Sequence, residues 1–220
     1  MSESTIRLGV LALQGDFSLH LSLIREMARA ELPAEAYAVE AAPVKTVSEL
    51  DAVDALVVPG GESTTIGMLM ERFGLLEAVG ARAAAGMPVF GTCAGAILLA
   101  THIVDSDQPR LGLIPMTVTR NAYGRQIESF EVTIDGVDAD VQAPQGRLQG
   151  VFIRAPIISA ADPAVRVLAE YDGDPVVVAY GPHLAATFHP ELVRERSLHR
   201  YFLRRLVSDA GNTHTRRATL

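Results

Sequence analysis

The stretch MPVFGTCAGAILLATHIV, residues 87–104, decides the fold. It opens as a short apolar strand over residues 87–92, breaks at Thr92-Cys93-Ala94-Gly95, and continues as the helix-like AILLATHIV. A strand that turns directly into a helix is a joint of a parallel α/β sheet. The G-x-C-x-G pattern across this joint has the layout of a nucleophile elbow, with cysteine where hydrolases usually carry serine. The flanking glycines have a steric reason: a sharp strand-to-helix turn brings backbone segments together, so only small residues fit two positions either side of a nucleophile that projects into a cleft. A helix start beside Cys93 also supplies backbone N–H groups and the positive end of the helix dipole, which favour thiolate over a thiol that ordinarily titrates at about 8.5.

Upstream of the joint, residues 7–13 read as a buried strand, and Phe17, Leu21, Ile24 and Ala28 recur at helical spacing after the turn Gln14-Gly15-Asp16. AYAV and DALVVPGG follow as strands, then one helix through Ile66, Leu69, Met70 and Phe73 and another through Leu76, Val79 and Ala83. This βαβα order implies right-handed crossovers and a parallel sheet. Downstream, the extended pieces shorten. Residues 117–120, 128–134, 150–153, 165–171, 175–180 and 184–188 read as antiparallel hairpins, with Asp172-Gly173-Asp174 as one turn, while VDADVQAPQGRLQ reads as a variable loop. A last helix places Leu198, Tyr201, Phe202 and Leu206 on one face to dock on the sheet. The polar end GNTHTRRATL has no apolar period and is expected to be disordered, which gives one domain over residues 1–208 and a tail over 209–220.

Composition narrows the function. Aromatic residues make up only 5% of the 220, so the core must be built from Val, Leu, Ile and Ala, which suits helices packed on a parallel sheet. A formal net charge of −7 without a basic cluster before the tail leaves no footprint for a nucleic-acid backbone, and no nucleic-acid partner is expected. Lys45 is the one lysine, in a segment with no phosphate cradle, which argues against a bound pyridoxal cofactor; neither cofactor nor metal is expected. A single cysteine forms no internal disulfide, and the start MSESTIRLGV lacks the features of a signal peptide, so the expected location is cytoplasmic. No membrane association is expected either, since Pro88, Gly91, Gly95 and His102 interrupt the longest apolar run.

A reactive cysteine needs a base, and six histidines are available. His20 and His102 fall in helical patterns, His183 in a turn, His199 on the last helix and His214 in the tail, all settings with a structural explanation. His189 differs: it ends the apolar segment LAATFHPE, Pro190 stops the strand, and Glu191 two residues on projects to the same side in extended geometry. A carboxylate beside an imidazole is what a Cys-His-acid relay requires, because the acid holds the tautomer and stabilises the imidazolium. Cys93, His189 and Glu191 are therefore the candidate triad. On the elbow and His-Pro-Glu alone, a glutaminase of another pathway, a cysteine hydrolase or stress protein on a similar elbow, and a catalytically silent binding module all remain open.

Together these residues resemble the class I glutamine amidotransferases, which pair a G-x-C-x-G elbow with a downstream H-P-E. VLALQGDFSLHL, PGGESTTIGMLM, GTCAGAILLA, LGLIPMTVTRNAYGRQIESFE, GVFIRAP and FHPEL are similar to successive blocks of one branch, the glutaminase subunits of pyridoxal 5′-phosphate synthase, over residues 6–206. The resemblance implies a three-layer α/β/α, flavodoxin-like fold with a mostly parallel central sheet and antiparallel additions. It also implies hydrolysis of L-glutamine, with Cys93 as nucleophile, His189 as general base and acid, and Glu191 orienting the histidine. Gly61, Glu62, Ser63, Arg120, Ile153 and Arg154 match the family's glutamine contacts, and the N–H groups of Ala94 and of Gly61 are the candidate oxyanion donors. The implied partner is the (β/α)8-barrel synthase subunit, in a large hetero-oligomer that contains the released ammonia. The Gly60-Gly61 pair permits a peptide flip that would complete the oxyanion hole only when that partner docks.

Overall fold

The computed structural model describes the backbone of residues 4–30, 37–120 and 129–217, and side chains within 5–29, 38–120 and 129–207. The first half alternates strands with helices, with two helices between the third and fourth strands: β1 (Ser4–Leu11), α1 (Phe17–Ala30), β2 (Tyr37–Val44), α2 (Val47–Asp51), β3 (Ala55–Val58), α3 (Ser63–Arg72), α4 (Leu75–Ala84), β4 (Val89–Thr92) and α5 (Ala94–Leu99). The second half is strand-rich: β5 (Ala100–Ile103), β6 (Ile114–Thr119), β7 (Ser129–Ile134), β8 (Leu148–Ile153), β9 (Ile157–Ala161), β10 (Arg166–Tyr171), β11 (Asp174–Tyr180) and β12 (His183–Ala186), closed by α6 (Ser197–Arg217).

A seven-stranded sheet in the order β10-β11-β12-β4-β3-β1-β2 forms the middle layer. From β12 to β2 neighbouring strands pair in parallel, and β10 and β11 add an antiparallel edge. Alternation through the sheet explains the two helical layers. In β3, Ala55 and Val57 face one core with Ile24 and Met27 of α1 and Phe202 of α6, while Leu56 and Val58 face a second core with Ile66 and Met70 of α3 and Val79 of α4. Each fully buried side chain of this kind contributes about 1.5–3 kcal/mol, so both faces need their helical cover. The mostly parallel three-layer α/β/α fold with antiparallel additions is the architecture expected from the sequence.

Several elements depart from that reading. The helix after the elbow ends at Leu99, and Ala100–Ile103 leaves it as β5, paired in parallel with β6. The Leu98 carbonyl accepts from the N–H groups of Leu111 and Gly112, and the β-branched residues Thr101 and Ile103 suit the extended chain. His102 therefore lies on a strand. The short helix α2 was not expected, although Thr46 and Glu49 form a reciprocal capping box at its start, a signal visible as Thr-x-x-Glu. β9 was also unexpected. β12 is more than a hairpin arm: it is antiparallel to β11 but parallel to β4, and His183 is its first residue rather than part of a turn. Finally, α6 runs in the backbone to Arg217, into the segment expected to be a tail; helix propagation adds a hydrogen bond per residue once a helix is nucleated. Residues 121–128, which hold most of the RNAYGRQ block, lie outside the described residues.

Candidate active site

Parallel strands bring their carboxyl ends to one edge of the sheet, the usual place for a site in an open α/β fold. Here β1 leads to Gln14 and Gly15, β3 to the loop Pro59-Gly60-Gly61-Glu62, β4 to Cys93, and β12 to His189. A cavity of about 280 Å³ opens there, lined by Gly61, Glu62, Ser63, Cys93 and Ala94 and completed by Arg120, Ile153, Arg154 and His189. The sequence candidates thus share one cleft, except Glu191, which lies buried behind His189.

The elbow is as tight as its glycines suggest. A Cβ on Gly91 would sit 2.5 Å from the carbonyl carbon of Gly95, and one on Gly95 would press into the carbonyl oxygen of Val58 at 2.0 Å. Cys93 itself has φ 49° and ψ −104°, a backbone conformation that costs on the order of 1–3 kcal/mol and persists only where its surroundings enforce it. Enforcement comes from the Cys93 N–H, which donates to the Ala186 carbonyl of β12 at 2.9 Å, and from the Cys93 carbonyl, which accepts from Ile97 N–H in α5. Arg154, just past the end of β8, is the other non-glycine cleft residue held at positive φ, 45°.

His189 lines the same cleft as the sulfur, with its own N–H tied to the Val151 carbonyl at 2.9 Å and its ring against Gly60, where a Cβ would stand 2.3 Å from His189 Cε1. Its Nδ1 is 2.7 Å from Glu191 Oε1. Burial opposes charge on this imidazole, but its contacts with Cys93 and Glu191 outweigh burial and raise it to about 10. At neutral pH the ring is an imidazolium, the partner a thiolate requires. Burial likewise works against an ionised Glu191, yet the contacts with His189 and His20 hold it well below the usual carboxylate range. Glu191 follows Pro190 in a tight turn, which aims its carboxylate back at the preceding ring.

The far wall is polar and ordered. Glu62 caps α3, accepting from the N–H and hydroxyl of Thr65 at 2.8 and 2.9 Å, and its other oxygen is 3.4 Å from an Arg120 nitrogen. Burial would raise Glu62, but these hydrogen bonds and Arg120 keep it below the usual range and ionised. Sequence reasoning missed Gln108, whose buried Oε1 accepts from Arg120, Thr64 and Ser63 at 2.8, 3.1 and 3.2 Å. It missed Gln14 too, whose Oε1 accepts the Glu62 N–H at 2.9 Å. Neither residue shows a spacing that betrays it, since Gln14 meets Glu62 across 48 positions and Gln108 meets Ser63 and Thr64 across 45 and 44. His20 and His199, set aside as structural, also lie in this region and make contact with each other, and His20 also meets Glu191.

A cysteine on a strained elbow, with an imidazole and a buried carboxylate behind it on an α/β sheet, is the arrangement that thiol-dependent acyl transfer requires. The SNO glutamine amidotransferase family matches residues 10–208, and the chain belongs to that family. It is 47% identical to pyridoxal 5′-phosphate synthase subunit PdxT of Mycolicibacterium vanbaalenii, over 91% of this chain and 97% of that one. It is also 47% identical to the PdxT subunit of Brevibacillus brevis, over 90% and 96%. A crystal structure described as a glutamine amidotransferase superposes with a TM-score of 0.80 at 44% identity, covering 90% of this chain and 98% of that chain. The crystal structure of a glutamine amidotransferase from Thermotoga maritima shares the fold at 13% identity and a TM-score of 0.58, covering 97% of this chain and 85% of that one.

Proposed function

We propose that this chain is the glutaminase subunit of a pyridoxal 5′-phosphate synthase, hydrolysing L-glutamine to L-glutamate and ammonia. The observation that carries the reading is a Cys93-His189-Glu191 relay opening on a cleft whose other wall presents a cation, Arg120, next to an anion, Glu62. A free amino acid carries the complementary pair, so Arg120 takes the α-carboxylate and Glu62 the α-ammonium, while Gly61, Ser63, Ile153 and Arg154 hold the chain between them. The volume of about 280 Å³ suits one amino acid, at the small end of ligand cavities.

In this mechanism the Cys93 sulfur attacks the side-chain amide carbon, and the carbonyl π electrons move onto oxygen. The N–H groups of Ala94 and Gly61 receive that oxyanion; one such donor is commonly worth about 3 kcal/mol. As the C–N bond breaks, His189 gives its proton to the departing nitrogen and ammonia leaves a thioester. His189 then takes a proton from water, whose oxygen attacks the thioester carbon, and the sulfur departs as glutamate forms. Glu191 holds the Nδ1–H of the ring throughout, stabilising the imidazolium and fixing the tautomer once the other proton has left.

Ammonia that escapes to water becomes ammonium and loses its nucleophilicity, so the reaction is useful only inside a complex. The synthase subunit that consumes it is a (β/α)8 barrel, the assembly is a large hetero-oligomer in the cytoplasm, and the amidotransferase domain occupies residues 1–208. Pyridoxal phosphate is a product of that complex. No helix among the described residues is long and apolar enough to cross a membrane. The test is ammonia release from glutamine by the wild type and by Cys93→Ala, each with and without the synthase subunit. The wild type should turn over, faster with its partner, and the alanine variant should lose at least about 10³-fold. Wild-type turnover in the alanine variant would refute the nucleophile.

A further inference from the structure

Behind the triad lies a second line of histidines. His20, on α1, is fully buried; its Nε2 is 3.2 Å from the Thr92 hydroxyl and 3.3 Å from Glu191 Oε2, with the N–H aligned better on the hydroxyl. Its Nδ1 is 3.0 Å from Nε2 of His199, on α6. One ring therefore touches the residue preceding the nucleophile and the acid that orients the base, and is itself held from the opposite end of the chain. A buried histidine kept only for packing has no need of both contacts.

The tautomers follow from hydrogen-bond accounting. His199 is buried, and its Nδ1 has no partner among the described residues. Burial pushes its pKa down to about 3, so it carries one ring proton. A buried orphan N–H costs more than a buried orphan lone pair, which places that proton on Nε2, donated to His20 Nδ1. His20 then carries its own proton on Nε2, the side that faces Thr92 Oγ1 and Glu191 Oε2. Glu191, an acceptor only, turns Oε1 to His189 Nδ1–H, and His189 Nε2 is left for the sulfur.

We propose that His20 is a positioning residue for this site: with its tautomer set by His199, it holds the Thr92 hydroxyl and the Glu191 carboxylate together, and so fixes the elbow and the His189 ring relative to each other. This rests on the glutaminase reading above. It predicts that His20→Leu, assayed with glutamine and the synthase subunit, lowers kcat about 10- to 100-fold, as expected for a small displacement of catalytic groups, with KM changed less than about twofold. The acid limb of its kcat profile should also move, because Glu191 loses a neighbouring donor while keeping His189. His20→Gln, whose amide nitrogen reaches the position of Nε2, should recover most of the rate. Rates are referred to active sites counted by stoichiometric alkylation of Cys93, so a poorly folded variant is not scored as a slow one. Separately, ¹⁵N-imidazole spectra of the wild-type chain should show the Nε2–H tautomer at both His20 and His199. Wild-type kcat per alkylated site in His20→Leu, equal loss in the Leu and Gln variants, or an Nδ1–H tautomer at His199 would each overturn the proposal. A wild type with no glutaminase activity would instead refute the function on which it rests.

Discussion

Two charged clusters in this molecule have nearly the same contact distances and opposite consequences. On the surface, Arg166 of β10 lies 2.7 Å from both oxygens of Asp138 and 2.7 Å from Asp140, with half of its side chain in solvent. In the interior, His189 and Glu191 also meet at 2.7 Å, but the carboxylate has no exposure and the ring only 11%. Water and salt screen the first cluster, so its net worth is small. The second has given up hydration at both ends, so each partner depends on the other, and removing one strands the other. The difference lies in the surroundings rather than in the ion pairs themselves. The same low-dielectric setting that makes the interior pair costly to break is what lets the carboxylate act strongly on the ring.

The sharpest way to break this contrast is Glu191→Gln. The amide keeps the shape and loses the charge. We expect kcat for glutamine to fall by about 10³- to 10⁴-fold, as when the acid of a triad is made neutral, and stability to fall by about 3 kcal/mol in chemical denaturation. A variant with near wild-type kcat would show that the carboxylate charge is dispensable.

Proton linkage sharpens the contrast further. Glu191 is held below its ordinary 4.5, so its contribution to stability is present above that value and lost as pH falls through its lowered folded value. His189 is raised from 6.5 to about 10, so its contribution is complete below 6.5 and lost as pH rises through about 10. Both terms are full between about 4.5 and 6.5. The difference in Tm between wild type and Glu191→Gln should be largest in that window and shrink towards pH 10, as read by thermal melts across the range. A difference that grows with rising pH would contradict the assignment of a raised imidazole.

The smallest effect is expected at the surface cluster. Arg166→Ala should leave ammonia release unchanged and shift Tm no more than an ordinary surface substitution does, at low and at high salt. A marked loss of either would mean that the exposed cluster is coupled to the fold in a way its solvation does not suggest.

The elbow and the His-Pro-Glu turn were legible because each is a local device. Gly91 and Gly95 flank Cys93 at a spacing that steric contact demands, and Pro190 with Glu191 follows His189 directly. The alternation of β1 to β4 with its helices was legible for the same reason, since apolar periods of 2 and 3.6 belong to neighbouring residues. Past Leu99 that logic fails: an apolar run with helical character becomes β5, because the N–H groups of residues 111 and 112 donate to the Leu98 carbonyl and close the helix from outside. Gln108 and His20 were illegible for a related reason, since a polar residue in a loop or on an amphipathic helix looks the same whether it meets water or a buried partner.

From the order of its residues alone, this chain specified a parallel α/β sheet, a cysteine at a strand-to-helix joint, and an imidazole with its carboxylate two positions on, because each depends on contacts between near neighbours. Only the folded structure decided that α1 and α6 would bring His20 and His199 together behind Glu191, and that Gln108 would tie Arg120 to the Glu62 loop. Those contacts join residues up to 179 positions apart. Their strength comes from the loss of water on burial, a property of position in the finished core.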